Sequence, residues 1–340
     1  MTTRHFPAEW APQSAILMAW PHKNTDWDYM LEEVQVCFSE IINSILPFEK
    51  ILLLVPDEET GKTLSTKFGH NLIPVVAETN DTWARDFGPI TIFEDNKPVC
   101  LDFKFNGWGL KFAADKDNLI TKTLFQKEVV AKNVLYKNRL NFVLEGGALE
   151  SDGQGTLLTT SECLLSPNRN GEWNKQQIED YLIQELGLKR VLWINNGYLA
   201  GDDTDSHIDT LVRFCSPDTI AYVKCDDSLD EHYQALKAME EEIFQLRNAN
   251  GEPYQLIPLP MSKEVIFDGE RLPATYANFL IINHAILVPT YNSDLDNEAI
   301  SQLKKAFPDR EIIGINCLPL IKQHGSLHCV TMQLPIEIHL

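Results

Sequence analysis

The segment Gly325-Ser326-Leu327-His328-Cys329-Val330-Thr331 puts a thiol directly after a glycine turn, at the start of what reads as a final strand. In Gly201 to Leu211 (GDDTDSHIDTL) the chain runs into another expected strand, on which His207 and Asp209, two residues apart, share one face. Glu145 follows the apolar Phe142, Val143 and Leu144 and precedes the pair Gly146-Gly147, through which other groups can approach closely. Thr82 to Pro89 (TWARDFGP) sets Trp83, Arg85 and Asp86 against a Gly-Pro turn, where side chains are ordinarily exposed. A thiolate is a strong nucleophile, imidazole moves protons, and a carboxylate holds a planar cation by two parallel charge-assisted hydrogen bonds. Together these groups suit attack on a cationic carbon.

Each segment also has a plainer reading. Most cysteines are small buried hydrophobes, as the apolar patterns around Cys37, Cys163 and Cys215 suggest for those three. Glu145 could be a solvated strand end beside a glycine bulge, and Arg85 and Asp86 a local charge pair. His328 alternates to the face opposite Cys329, so it is not assigned as the base. His207 with Asp202, Asp203 and Asp205 offers metal-ligand atoms, but no H-E-x-x-H and no second spaced His accompanies them, so no metal is expected. The seven cysteines include no C-x-x-C pair, which argues against both a structural zinc and a disulfide framework. No phosphate loop or dinucleotide fingerprint occurs, and no cofactor is expected.

The elements that would position these groups read as follows. Ser14 to Trp20, Ile51 to Val55, Thr219 to Val223 and Asn278 to Pro289 are short apolar runs expected as buried strands. Helical spacing from Asp26 to Leu46 stops at Pro47; Asn174 is expected to cap a helix ending near Gly187. Ser228 with Glu231 reads as a capping box ahead of an apolar stripe from Tyr233 to Leu246. Strands and helices alternate throughout with no linker, so the expectation is one α/β domain over residues 1–340. The polar segments around Trp83, Glu145, His207 and Asn278 recur at intervals of 62, 62 and 71 residues, and five such modules would fill the chain.

Among 340 residues, 44% are hydrophobic and 23% charged, an ordinary globular balance that sets aside disorder and coiled coil. The net charge of −20 makes nucleic acid an improbable partner and favours a small cation. No membrane span or signal-peptide core is evident in the sequence, so a cytoplasmic location is expected; a homo-oligomer is left open.

TWARDFGP, FNGWG (Phe105 to Gly109), LEGG, DDTDSHID and LHCVTMQ occur in one order along nearly the whole chain, from SAILMAWPH to LHCVTMQLP. In these motifs the chain resembles the agmatine deiminases, grouped with bacterial peptidylarginine deiminases in the guanidino-group-modifying superfamily. The resemblance implies a five-bladed α/β propeller, the pentein fold, built of ββαβ modules around a central channel. It implies Cys329 as nucleophile, His207 as general acid and base, Asp86 and Asp209 as holders of the guanidinium, and Glu145 beside His207 or a substrate nitrogen. Asp209 would be the carboxylate next to His207. Trp83 would contact substrate, and Trp108 would join it along the methylene chain or pack in the core. The reaction implied is hydrolysis of agmatine to N-carbamoylputrescine and ammonia, in putrescine (polyamine) biosynthesis. Free or peptidyl arginine is the alternative substrate, which Arg85 or Arg169 facing the channel would favour; an inactive polyamine-binding protein is the other. The stretch Lys322-Gln323-His324-Gly325-Ser326 departs from the glycine run usual in the family, which bears on channel access.

Overall fold

The uninterrupted apolar runs become strands covered on both faces: Ala15–Ala19 is wholly buried and Lys50–Val55 nearly so, and the two pair in parallel. Between them the helix Leu31–Ile45 turns Val34, Phe38, Ile41, Ile42 and Ile45 inward, after one 3-10 turn at Asp28–Met30. The structure, a computed structural model, describes residues 3–338.

Five sheets of three or four strands account for the five expected modules. In each, an antiparallel inner pair is followed by a parallel outer strand reached through helix. Thr219–Lys224, for example, pairs antiparallel with Val212–Ser216 and in parallel with Gln255–Pro260, across the helix Tyr233–Gln245. The same order runs through Leu280–Ile282, Ala285–Thr290 and Glu311–Asn316, and through Ile90–Glu94, Lys97–Lys104 and Leu135–Val143. Glu150–Ser151, Thr156–Thr160 and Arg190–Ile194 repeat it. The remaining sheet joins both ends of the chain, because Met332–Leu334 pairs antiparallel with Ala15–Ala19. That pairing closes the five-bladed α/β propeller and covers an edge that would otherwise be open. Among the described residues, no helix is long and apolar enough to cross a membrane.

Two local expectations are corrected. The run Asn278 to Pro289 is not one strand but the hairpin of Leu280–Ile282 and Ala285–Thr290, turning at His284, whose φ is 65°. Ser228 and Glu231 form no capping box: the helix starts at Tyr233 with His232 as N-cap. The Asp227 and Asp230 carboxylates instead accept from the Leu229 and His232 amides, and these short-range bonds hold the stretch in turns. By contrast Asn174 and Gln177 form a reciprocal capping box on Lys175–Leu186, which ends at Gly187 in the left-handed region, φ 72°. A Cβ at Gly187 would lie 2.4 Å from Arg4 Cβ. Gly187→Ala is therefore expected to destabilise the fold by about 1–3 kcal/mol, read as a lower urea midpoint at unchanged slope.

Candidate active site

Every inner strand is preceded by a loop, and the five loops meet one another in a closed ring at the propeller axis. Gly147 N donates to Asp86 Oδ1 at 2.9 Å, joining the Leu144–Leu149 loop to Thr82–Gly88. His207 Nε2 lies 3.6 Å from Glu145 Oε2. Thr275 Oγ1 donates to Thr210 O at 2.8 Å, His328 N to Asn278 Oδ1 at 2.9 Å, and Arg85 N to Cys329 O at 3.1 Å, which completes the circuit. The recurring polar segments of the sequence are these loops.

Cys329, His207, Glu145, Asp86 and Asp209 are thereby brought together, all buried. Burial, with the Asp209 and Asp86 carboxylates added, pushes the Cys329 thiol well above its ordinary value. Asn278 Oδ1 accepts from Cys329 N at 3.3 Å and stands 3.4 Å from its Sγ, so one amide oxygen steadies the thiol. Burial alone would lower His207, but the Asp86 carboxylate 3.7 Å from Nδ1, then Cys163 and Glu145, outweigh it and raise it well above 6.5. That balance favours the imidazolium form of His207. Burial lifts Asp86, reinforced by Asp209 and Glu145. Glu145 is held below the usual carboxylate range despite burial, by His207 and by Arg169.

Several local expectations change. Asp86 sits not in an exposed turn but in a buried helical turn, Ala84–Phe87, and Arg85 points away from it to Gln333. His207 and Asp209 do not share a strand face: Ile208–Thr210 is a 3-10 turn, because the left-handed Asp205 and Ser206 reverse the chain just before it. Asp209 consequently meets His328, not His207; its Oδ2 is 2.7 Å from His328 Nδ1, while Oδ1 has no partner among the described residues. Cys329 lies in a turn ahead of the strand Met332–Leu334 rather than at its start.

Sequence reasoning missed the groups behind the site. Arg213, fully buried, pairs with Glu9 and Glu150 and caps the Ala277 and Phe279 carbonyls. Glu9 also reaches His328 Nε2 at 2.9 Å. Cys163 Sγ stands 3.8 Å from Glu145 Oε2. Glu9, near the N-terminus and outside any motif, carried no signal; Asn278 was marked only as a module boundary.

A pocket of about 770 Å³ opens onto Cys329, Asp86, Trp83 and Trp108. The two indoles meet edge to face at 6.4 Å, and Trp108 Nε1 donates to Asp86 Oδ2 at 2.9 Å. Trp108 is therefore a pocket wall and a partner of Asp86 while it also packs against Phe105 in the core and against Phe112. Its backbone is left-handed, φ 54°, within a turn that Asn106 ties at Gly109 N. In the loop Lys322 to Ser326, a Cβ at Gly325 would stand 2.1 Å from the Trp83 ring, so the glycine retained is the one the indole requires. His324 Nδ1, 2.7 Å from Gly201 O, ties this loop across the mouth. Seven carboxylates line the pocket, against Lys111, Lys116 and His324. Arg169 lies instead behind Glu145, and Arg85 faces a separate small cavity beside Gln333.

A closed five-module propeller with thiol, imidazole and carboxylates converging on its axis defines a guanidino-group hydrolase in class. The family model of Porphyromonas-type peptidyl-arginine deiminase matches residues 5–335, and the chain belongs to that family. The solved structure of a "Putative Arginine Deiminase" from Porphyromonas gingivalis is 53% identical, with TM-score 0.94 over 98% of this chain and 99% of that one. A cysteine-to-serine variant of the C. jejuni agmatine deiminase, solved with substrate bound, is 38% identical, with TM-score 0.93 over 99% and 98%. The "Putative agmatine deiminase" of Streptococcus mutans is 33% identical over 97% of this chain and 95% of its own.

A Cβ at Gly147 would come 2.5 Å from His207 Nδ1 and 2.8 Å from Asp86 Oδ1. Gly147→Ala is expected to lower kcat by about a hundredfold or more, since it displaces both groups together. Because the Cys329 thiol is raised, its thiolate fraction grows about tenfold per pH unit between about pH 7 and 9. Iodoacetamide labelling at Cys329, followed by peptide mass spectrometry, should accelerate with pH across that range; a plateau at neutral pH would contradict the raised thiol.

Proposed function

We propose that this protein is an agmatine deiminase, hydrolysing agmatine to N-carbamoylputrescine and ammonia in putrescine biosynthesis in the cytoplasm. The observation that carries the reading is the charge of the pocket: among the described residues, seven carboxylates and no arginine line the substrate space. Agmatine carries a guanidinium at one end and an ammonium at the other, whereas arginine would bring a carboxylate into that acidic mouth.

The chemistry follows from the groups. The guanidinium docks on Asp86, beside the Trp83 and Trp108 indoles, and reaches inward to the unpartnered Oδ1 of Asp209. Its positive charge offsets the carboxylates that, with burial, raise the thiol, so Cys329 releases its proton to solvent through the pocket as substrate arrives. Sulfur attacks the central carbon and forms a tetrahedral adduct. The C–N bond to the departing nitrogen breaks as His207 supplies its proton, and ammonia leaves. Neutral His207 then takes a proton from water, whose oxygen adds to the thiouronium carbon. Collapse of that second adduct breaks the C–S bond, the departing sulfur takes the hydroxyl proton to restore the Cys329 thiol, and the neutral ureido product is left. No step needs a metal or an organic cofactor.

A second reading, an arginine deiminase, is favoured by the 53% identity to the Porphyromonas gingivalis protein of that name. Ammonia release measured side by side from agmatine, free arginine and a peptidyl-arginine separates the two, with agmatine expected to turn over fastest. Cys329→Ala should abolish release; full activity in that variant would falsify the mechanism. Binding of agmatine without any turnover by the parent would identify a polyamine-binding protein instead.

Burial raises Asp81 and Asp117 at the pocket to about 7, and Asp203 to about 6. These groups are neutral at low pH and become anionic as pH rises through those values. KM for the dicationic substrate is therefore expected to fall between about pH 5.5 and 8; a KM that is flat or rises over that interval would count against the acidic mouth as the amine-binding end.

A further inference from the structure

Arg169 lies outside the substrate pocket, yet each of its three guanidinium nitrogens donates to a group beside or ahead of His207. Its side chain has no solvent exposure. Nε donates to both oxygens of Glu145, at 3.0 and 2.8 Å, and Glu145 stands directly behind His207 Nε2. Nη1 reaches Asp205 Oδ2 at 2.5 Å and Nη2 the Thr204 carbonyl at 2.8 Å. Asp205 and Ser206 are consecutive non-glycine residues in the left-handed region, φ 63° and 58°, immediately before His207. Such a pair is unfavourable for side-chain-bearing residues and persists only where its surroundings hold it. The same short helix, Pro167–Asn170, offers the Asn168 carbonyl to Asn106 Nδ2, which anchors the turn carrying Trp108.

We infer that Arg169 is a positioning residue for the hydrolysis, holding His207 from two sides at once. It fixes the carboxylate behind the imidazole, and it holds the strained turn that delivers the imidazole to the axis. Glu145 could not keep its charge in this fully buried place with His207 alone, because His207 gives up its cation in each turnover while the guanidinium stays charged throughout. Arg169 thus gives Glu145 a constant partner, so that proton loss from His207 does not drag a proton onto the carboxylate behind it.

The inference rests on the deiminase reading for its kinetic test, which compares Arg169→Lys, Arg169→Met and Asp205→Asn with the parent on agmatine. Arg169→Met is expected to lose about a hundredfold in kcat with KM within about threefold. Arg169→Lys should recover part of that loss, since it retains one cation against Glu145, and Asp205→Asn should lose about five- to tenfold. Asp205 is partly exposed, so its neutral isostere reports on the turn even where Arg169→Met does not fold. A readout that needs no turnover is the ¹⁵N resonance pair of the His207 imidazole, expected to move in Arg169→Lys and Asp205→Asn. Folded variants with kcat within about twofold of the parent and unmoved His207 resonances would overturn the inference, as would a rise in KM at constant kcat, which would put Arg169 on the substrate. A parent inert toward agmatine would overturn the functional reading alone, and the His207 resonances would still decide for Arg169.

Discussion

Most of the charge in the interior of this propeller is paired. The axis holds Glu9, Asp86, Glu145, Glu150, Asp209, His207, His328, Arg85, Arg169 and Arg213, all buried. Taking one unpaired ion from water into such an interior costs several kcal/mol, which favours cations and anions in contact; among the described residues Arg85, held by Gln333 Oε1 and the His328 carbonyl, is the exception. Arg213 between Glu9 and Glu150, His328 between Glu9 and Asp209, and Arg169 between Glu145 and Asp205 are paired by such contacts. Apart from Arg169 with Glu145, which lie in one module, these pairs join residues from different modules or from the N-terminal segment, and the charge pairing therefore also registers the modules against one another.

The reacting groups lie where this compensation is incomplete. Among the described residues, Asp209 Oδ1 and His207 Nε2 are buried without hydrogen-bond partners, and burial, with the Asp209 and Asp86 carboxylates, holds the Cys329 thiol above its ordinary value. A planar cation would satisfy Asp86 and Asp209 and relieve the thiol in one step. On the proposed function the site is electrostatically unfinished until a cationic substrate completes it, which would tie binding to activation of the thiol. The Arg213 network below and Arg169 behind are the fixed parts against which that change takes place.

Some of the backbone strain lies at the same place. Trp108 and Leu110 close together in and just after the FNGWG turn, Asp205 and Ser206 before His207, and His324 before Gly325 are non-glycine residues at positive φ. All of them border the pocket or the catalytic loops, and side-chain bonds brace them from behind: Asn106 to Gly109 N, Arg169 to Asp205, and His324 to Gly201 O. The departure from a glycine-rich run ahead of Cys329 fits this pattern. A loop tied at His324 and packed at Gly325 against Trp83 needs one glycine, not several.

The α/β class, the modular interval and the Asn174 cap were legible in the chain because they rest on local periodicity and turn chemistry, which neighbouring residues dictate. The chemical inventory was legible for the same reason: thiol, imidazole and carboxylates stand in short polar segments beside apolar strands. Which of those groups face each other was not. His207 and Asp209 read as partners by their spacing, but a left-handed turn at Asp205 and Ser206 rotates them apart, and Asp209 finds His328 from another module. Arg213 and Glu9 carried no mark in the sequence and Arg169 read only as a residue that could face the channel; closure of the ring is what brings all three into contact with partners distant in sequence. Side-chain type and strand periodicity are properties of the chain, whereas the partner of a buried charge is a property of the assembled interior, where pairing is enforced by the energy of leaving a charge unsolvated.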